Sequence, residues 1–226
     1  MKKLVVLLFI FSCGCQDPDF QDHTHLGFIA LGDYVNVNKR LPKNITNKEG
    51  KPLLSWRVEL LKYGGGAELN LYKQFNLDEP WNSPHNMDVA LTVPFQYIDP
   101  KGSQCTPIEK EPISTLWRMD PKALNYTPYL AVVGAKTAFA LDKIPEESYR
   151  YAVIVVVDKS DVFWTEPRDI SVEKVKKGDC LRWYGKNKKS WYVSPHGGLI
   201  DWEKDVVMKS NGDPNFPPKY EFESDN

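Results

Sequence analysis

This 226-residue chain has no long hydrophobic run. A membrane-spanning helix needs about 20 consecutive apolar residues. The stretch Leu4–Phe11 falls far short of that and no other comes near, which argues against a transmembrane protein. Charge of one sign is missing too. With 29 basic and 30 acidic side chains and a formal net charge of −1, the chain has no overall field to draw it to nucleic acid or to an acidic surface. It has no Gly-x-Ser-x-Gly elbow, phosphate-binding glycine loop or dinucleotide fingerprint, and Gly64-Gly65-Gly66 lacks the flanking strand and lysine of a phosphate cradle. The four histidines are as uninformative: His23 and His25 sit in a polar segment that reads as a solvated tether, and His85 and His196 have no recognisable partner. The neighbouring carboxylates Asp78 with Glu79 and Asp201 with Glu203 do not by themselves define the separation that glycoside hydrolysis requires. These absences point to a protein without catalysis and without a cofactor.

What is present is enough apolar material for a core, 42% hydrophobic and 12% aromatic residues. The amino terminus reads Met1-Lys2-Lys3, then Leu4 to Phe11, then Ser12-Cys13-Gly14-Cys15, which is a basic segment, an apolar segment and a small-residue end. This is an export signal, and its terminal cysteine resembles a bacterial lipoprotein signal in which that cysteine is acylated. Cys15, behind the small Gly14, is the preferred acceptor, and Cys13 is the alternative. Residues 1–14 are thus expected to be signal, 15–25 tether, 26–210 one globular domain and 211–226 a loose tail. The expected location is the extracytoplasmic face of the cell envelope. Lipidation at Cys15 leaves Cys105 and Cys180 as an even pair in an oxidising compartment, so a disulfide between them is one reading and two buried thiols the other.

Along the domain, Leu26, Ile29, Ala30, Tyr34 and Val37 recur at helical spacing, and the helix is expected to end at Arg40-Leu41-Pro42. Residues 43–52 read as an exposed loop. Leu53–Tyr63 fits helix or strand. A second helix fits Ala67–Asn76, with Leu69, Tyr72 and Phe75 on one side, and Ser83-Pro84 marks the start of a third. The second half carries strand signal at Tyr129–Val133, Tyr149–Val157, Val162–Trp164, Cys180–Tyr184, Ser190–Val193 and Asp205–Met208, with a hairpin turn at Gly185–Lys189. Tyr151–Val157 is nearly continuous in apolar character, as expected of a strand covered on both faces at the centre of a sheet. The class is therefore α+β. Trp183, Trp191 and Trp202 lie close in sequence around a basic turn; core packing is the simpler reading and a sugar-stacking platform the alternative.

The most specific signal is the run Leu53-Leu54-Ser55-Trp56-Arg57-Val58-Glu59-Leu60-Leu61-Lys62-Tyr63, followed by Leu77-Asp78-Glu79-Pro80-Trp81-Asn82-Ser83-Pro84-His85-Asn86. It resembles a prepilin-like domain-of-unknown-function family that is expanded in planctomycete-type bacteria and carries both runs in this order. Thr127–Gly134, Thr137–Phe139 and Val162–Pro167 are similar to later blocks of that family. The resemblance implies a pilin-like head, an N-terminal helix packed on an antiparallel sheet, with no cofactor and no established activity. The sequence departs from the family twice. A lipoprotein-like signal replaces the pilin methylation motif and its long helix, and the glycine of the closing Asp-Gly is missing after Asp205. The physical reading of the motif is structural, with Trp56 and Trp81 as core anchors, Asp78-Glu79-Pro80 as a turn, Ser83-Pro84 as a cap and Arg57 paired with an acidic neighbour. The functional expectation is a lipid-anchored envelope protein that contacts other proteins or surface polymers; the alternative is a carbohydrate-binding or glycan-active protein using residues 183–202.

Overall fold

The computed structural model describes residues 29–98, 105–107, 116–120, 126–134, 137–144, 153–177, 180–181, 189–193 and 199–203. The signal, the tether, residues 185–188 of the expected turn, the strand expected at 205–208 and the 211–226 tail lie outside these residues. The first helix, α1 (Ile29–Asn38), buries Ala30, Leu31, Tyr34 and Val35. That is a face of a 3.6-residue repeat, rotated from the expected stripe, because Val37 is 69% exposed. Proline does not end the helix. Lys39 adopts a left-handed φ of 59° and its N–H bonds Val35 O at 2.8 Å, closing the last turn before Pro42 is reached.

This helix packs on a five-stranded sheet of order β10-β9-β7-β6-β8, built from β6 (Tyr129–Val133), β7 (Ile154–Val156), β8 (Ile170–Ser171), β9 (Lys189–Val193) and β10 (Leu199–Glu203). All pairings are antiparallel except β6 with β8. Side-chain alternation along the strands separates two cores. Tyr129, Ala131, Ile154, Val156 and Val193 meet Leu31, Tyr34 and Val35 of α1 on one face. Leu130, Val132 and Val155 meet Val172 and Val175 of α5 (Val172–Lys177) on the other. β7 is the central strand and is covered on both faces, which is why its sequence shows no polar alternation. The strand signal at 162–164 resolves instead as a turn with a single bridge, Phe163 to Tyr126.

The segment between α1 and the sheet forms most of a third core, which Phe163 and Trp164 complete from the stretch between β7 and β8. Residues 43–52, expected as loop, hold β1 (Ile45–Thr46) and lead into β2 (Pro52–Leu54), paired as a hairpin. The Asn47 side chain accepts from Glu49 and Lys51 N–H, and Gly50 supplies a φ of 81°. Leu53–Tyr63 divides at Ser55, whose hydroxyl caps α2 (Trp56–Leu60) before a 3₁₀ turn at Leu61–Tyr63. The glycine triplet is a turn into α3 (Gly66–Tyr72). Gly65 has φ 108°, and a Cβ on Gly64 would stand 3.0 Å from Glu68. The α3 face toward the core is Glu68, Leu71 and the following Phe75, whereas Leu69 and Tyr72 are only half-buried, so the expected face is shifted. Helix α4 (Pro84–Ala90) starts on the Ser83 cap, with Ser83 Oγ accepting from Asn86 N–H. A three-stranded sheet of β3 (Thr92–Pro94), β5 (Leu116–Met119) and β4 (Cys105–Pro107) completes this part. The observed class is α+β, with short helices and small, mainly antiparallel sheets.

Candidate functional site

The Ser55-Trp56-Arg57 run carries the most polar chemistry in the interior. Arg57 lies in a mainly apolar block that also holds Glu59 and Lys62, and its side chain is 0% exposed. A buried guanidinium must be matched by acceptors. Nε and Nη2 donate to Tyr129 O at 3.1 and 2.7 Å, Nη1 donates to Ser55 Oγ at 2.7 Å, and Nη2 also reaches Asp169 Oδ1 at 2.7 Å. The Asp169 carboxylate accepts further from Ala131 N–H at 2.8 Å and from Trp56 Nε1 at 3.0 Å. Burial pushes the Asp169 carboxyl up, and Arg57 with the two N–H donors opposes that. The Trp56 ring lies under the guanidinium, 4.6 Å from its carbon to the ring centroid.

The strand register explains why this pair sits where it does. Val132 N–H bonds Val153 O and Val157 N–H bonds Pro128 O, so the even-numbered residues of β6 face the β7 ladder. The N–H and C=O groups of Tyr129 and Ala131 therefore point to the other edge of β6. On that edge Thr127 N–H reaches Val162 O, and β8 pairs only with Val132 and Val133. Arg57 and Asp169 fill the gap between, bonding Tyr129 O and Ala131 N–H in place of a neighbouring strand. Sequence reasoning assigned Arg57 an acidic partner but could not name Asp169, 112 positions away.

The second half of the motif is organised by Asn86, 0% exposed. Its Oδ1 accepts from Asn76 N–H at 2.9 Å, and its Nδ2 lies within bonding distance of Asn76 O, Glu79 O and Pro80 O. One amide thus holds the 76–80 turn against the first turn of α4. Asp78 and Pro80 are exposed, and Glu79 accepts from Asn76 Nδ2. His85 is exposed and its Nε2 is 2.8 Å from Gln74 O. Trp81 is half-buried and stacks on Phe163 at 5.9 Å, and its N–H bonds Leu53 O. Trp56 is 1% exposed.

Cys13, Cys15 and Trp183 lie outside the described residues. Cys180 is half-buried, with Sγ 3.4 Å from Lys174 O, while Cys105 opens β4 in the other sheet, its side chain outside the described residues. The register sets Trp191 opposite Asp201 and Trp202 opposite Ser190. The side chains of both tryptophans lie outside the described residues.

One cleft of about 290 Å³ opens beside the end of α1. It is lined by Tyr34, Arg40, Lys43, Asn44, Ile45, Glu59, Tyr72 and Leu77. Lys43 pairs with Asp142 at 2.8 Å, and Glu59 pairs with Lys62, whose ammonium lies over the Tyr72 ring. The Arg40 guanidinium donates to Leu41 O and stands over the Tyr34 ring. Sequence reasoning did not single out any of these residues as a site, because they come from four separate stretches. Among the described residues no group of three or more histidine, cysteine or carboxylate side chains is placed to hold a metal ion, and no helix is long and apolar enough to cross a membrane. No protein-family profile, curated protein or solved structure matches this chain.

Proposed function

We propose that this is a non-catalytic, lipid-anchored protein of the bacterial cell envelope whose pilin-like head acts through contacts with proteins or surface polymers. The observation that carries the reading is the amino-terminal pattern of Lys2-Lys3, an apolar stretch to Phe11 and Ser12-Cys13-Gly14-Cys15. Supporting the pilin-like part is the packing of α1 across one face of a mainly antiparallel sheet. Supporting a structural role for the motif is where its polar groups are spent: Arg57 on Tyr129, Ser55 and Asp169, and Asn86 on the 76–80 turn.

The test is mass spectrometry of the full chain expressed in a bacterium that processes lipoproteins. The expected product begins at Cys15, or at Cys13, and carries a thioether-linked diacylglycerol. A mature chain that begins elsewhere or carries no acyl group overturns the anchor.

A further inference from the structure

The near-zero net charge of the chain is unevenly spread. Residues 39–51 hold Lys39, Arg40, Lys43, Lys48 and Lys51 against the single carboxylate Glu49. The fold gathers these cations at the end of α1 and adds a sixth from far along the chain. Lys39 and Arg40 follow the last turn of α1, and Lys43 lies two residues before β1. Lys48 and Lys51 stand in the tight turn of the β1–β2 hairpin, and the chain between Lys43 and Lys48 spans at most about 17 Å. Ile144 N–H bonds Lys39 O at 2.7 Å and Asp142 pairs with Lys43 at 2.8 Å, so Lys143 is fixed beside them. The hydrogen bond from Lys43 and the charge of Arg40 hold the Asp142 carboxyl below the usual carboxylate range, as expected of cations grouped around it. Arg40 is half-buried and the five lysines are exposed. Six cations against Asp142 and Glu49 leave four positive charges on one face of a chain whose formal net charge is −1. Glu59, in the neighbouring cleft, is paired with Lys62 and adds nothing.

The negative end of the helix dipole accounts for basic residues at Lys39 and Arg40. It does not account for Lys48, Lys51 and Lys143, which stand on other elements. The cations are spread over a helix end, a hairpin turn and a separate loop, so a compact anion reaches only one or two of them and an extended anionic surface reaches them together. The tether makes one such surface the nearest. The 13 residues between Cys15 and Ile29 span at most about 45 Å. Helix α1, with 10 residues, is about 15 Å long, so its far end lies well within reach of a bilayer that holds Cys15. Beside an anionic headgroup layer each lysine or arginine contributes about a fivefold factor in partitioning, and a tether that already confines the head makes contacts of that strength sufficient.

We propose that this basic face rests on the anionic headgroups of the membrane that carries the chain's own acyl anchor, leaving α5, on the opposite face of the sheet from α1, turned outward. The inference rests on the proposed anchor for the identity of that membrane.

The test is a lysine-acylation footprint, read by mass spectrometry, of the full acylated chain in vesicles of phosphatidylcholine and in vesicles of phosphatidylcholine mixed with phosphatidylglycerol. Lys39, Lys43, Lys48, Lys51 and Lys143 are expected to react severalfold more slowly in the anionic vesicles, while the exposed Lys159 and Lys174 react equally in both. Salt at 1 M, which cuts the screening length to about 3 Å, is expected to remove the difference. Lys48→Glu with Lys51→Glu cancels the four charges in an exposed turn and is expected to lose most of the protection with the melting temperature unchanged. Equal reactivity in the two kinds of vesicle, protection shared by Lys159 and Lys174, or a double variant protected as the wild type is would overturn the proposal. Protection by soluble polygalacturonate without protection by anionic vesicles would also overturn it and assign the face to a polymer. A flat footprint on an acylated chain leaves the anchor standing. A chain that carries no acyl group but shows the same footprint with excess anionic vesicles removes the anchor and leaves the basic face standing.

Discussion

The two halves of this protein are held together by different physics. The five-stranded sheet gains its stability from apolar area. Ile154, Val155 and Val156 are 0–1% exposed, flanked by α1 on one face and α5 on the other. Apolar burial is non-directional, and cores of this kind tolerate swaps that keep volume. The motif region has its own apolar core around Trp164, Tyr97 and Phe75, but single polar groups fix its geometry. Arg57 with Asp169 completes an open strand edge and Asn86 holds a turn. Directional networks of this kind specify one arrangement and fail abruptly when a member is lost. Near-isosteric changes should therefore be mild in the sheet and severe in the motif region.

The sharpest way to break this contrast is Asp169→Asn. It conserves volume, yet leaves the Arg57 charge buried without a counter-ion and sets an amide against three donors. A loss of about 3–5 kcal/mol in urea unfolding is expected, and a loss below about 1 kcal/mol would show that the pair is ornamental. A double variant sharpens the point. Replacing a buried ion pair by apolar residues is often neutral, but here Arg57→Met with Asp169→Leu also strips Tyr129 O, Ala131 N–H and the Trp56 indole N–H of their partners. Each orphaned buried group costs about 1–3 kcal/mol. The double variant is therefore expected to recover little, and full recovery would mean that the strand edge finds other partners.

Asn86→Ala comes next. It removes one acceptor and two donors at a site that is 0% exposed, and a loss of about 2–3 kcal/mol is expected. Hydrogen exchange should rise first at the Asn76 amide, which Asn86 Oδ1 holds. If that amide stays protected while global stability falls, the side chain fills space and does not organise the turn. In the sheet, Ile154→Val at a 0%-exposed position on the central strand should cost only about 0.5–1.5 kcal/mol, with no change in the unfolding slope. An effect equal to that of Asp169→Asn would erase the difference between the halves.

The same contrast governs what could be seen in the sequence. The apolar run at 151–157 marks a strand covered on both faces because burial leaves a compositional trace at the residues themselves. The Ser83-Pro84 cap was equally legible, since a cap is made by neighbours three positions apart. Asp169 left no such trace: its partners Trp56, Arg57 and Ala131 are 38 to 113 positions away, and nothing in the local sequence distinguishes it from an exposed aspartate. The three-stranded sheet was missed for a related reason, because three- and four-residue strands are too short to establish a period of two. The face of α1 was misplaced because Val35 and Val37 are chemically alike, and only the tertiary packing separates a buried valine from an exposed one. The cleft was invisible because its lining is assembled from α1, the loop after it, α2 and the segment around Tyr72 and Leu77.

The smallest expected effect tests whether directional pairing matters on the surface as it does inside. Arg168 forks onto both Asp161 and Glu166 in the turn before β8. Its hydrogen bond holds the Asp161 carboxyl below the usual carboxylate range. A depressed folded-state pKa means that the pairing contributes stability above the unfolded-state value of 3.8, and that this contribution disappears as pH falls through the lower folded value. Asp161 is exposed, so solvent screens most of it. Arg168→Gln should move the Asp161 carboxyl ¹³C titration midpoint upward toward the ordinary value while leaving the thermal midpoint at pH 7 within measurement error. An unmoved midpoint would mean that the fork exists without holding the carboxylate. A large fall in thermal stability would mean that the turn before Asp169 needs this surface cluster to present the buried carboxylate, which would tie the outer network to the inner one.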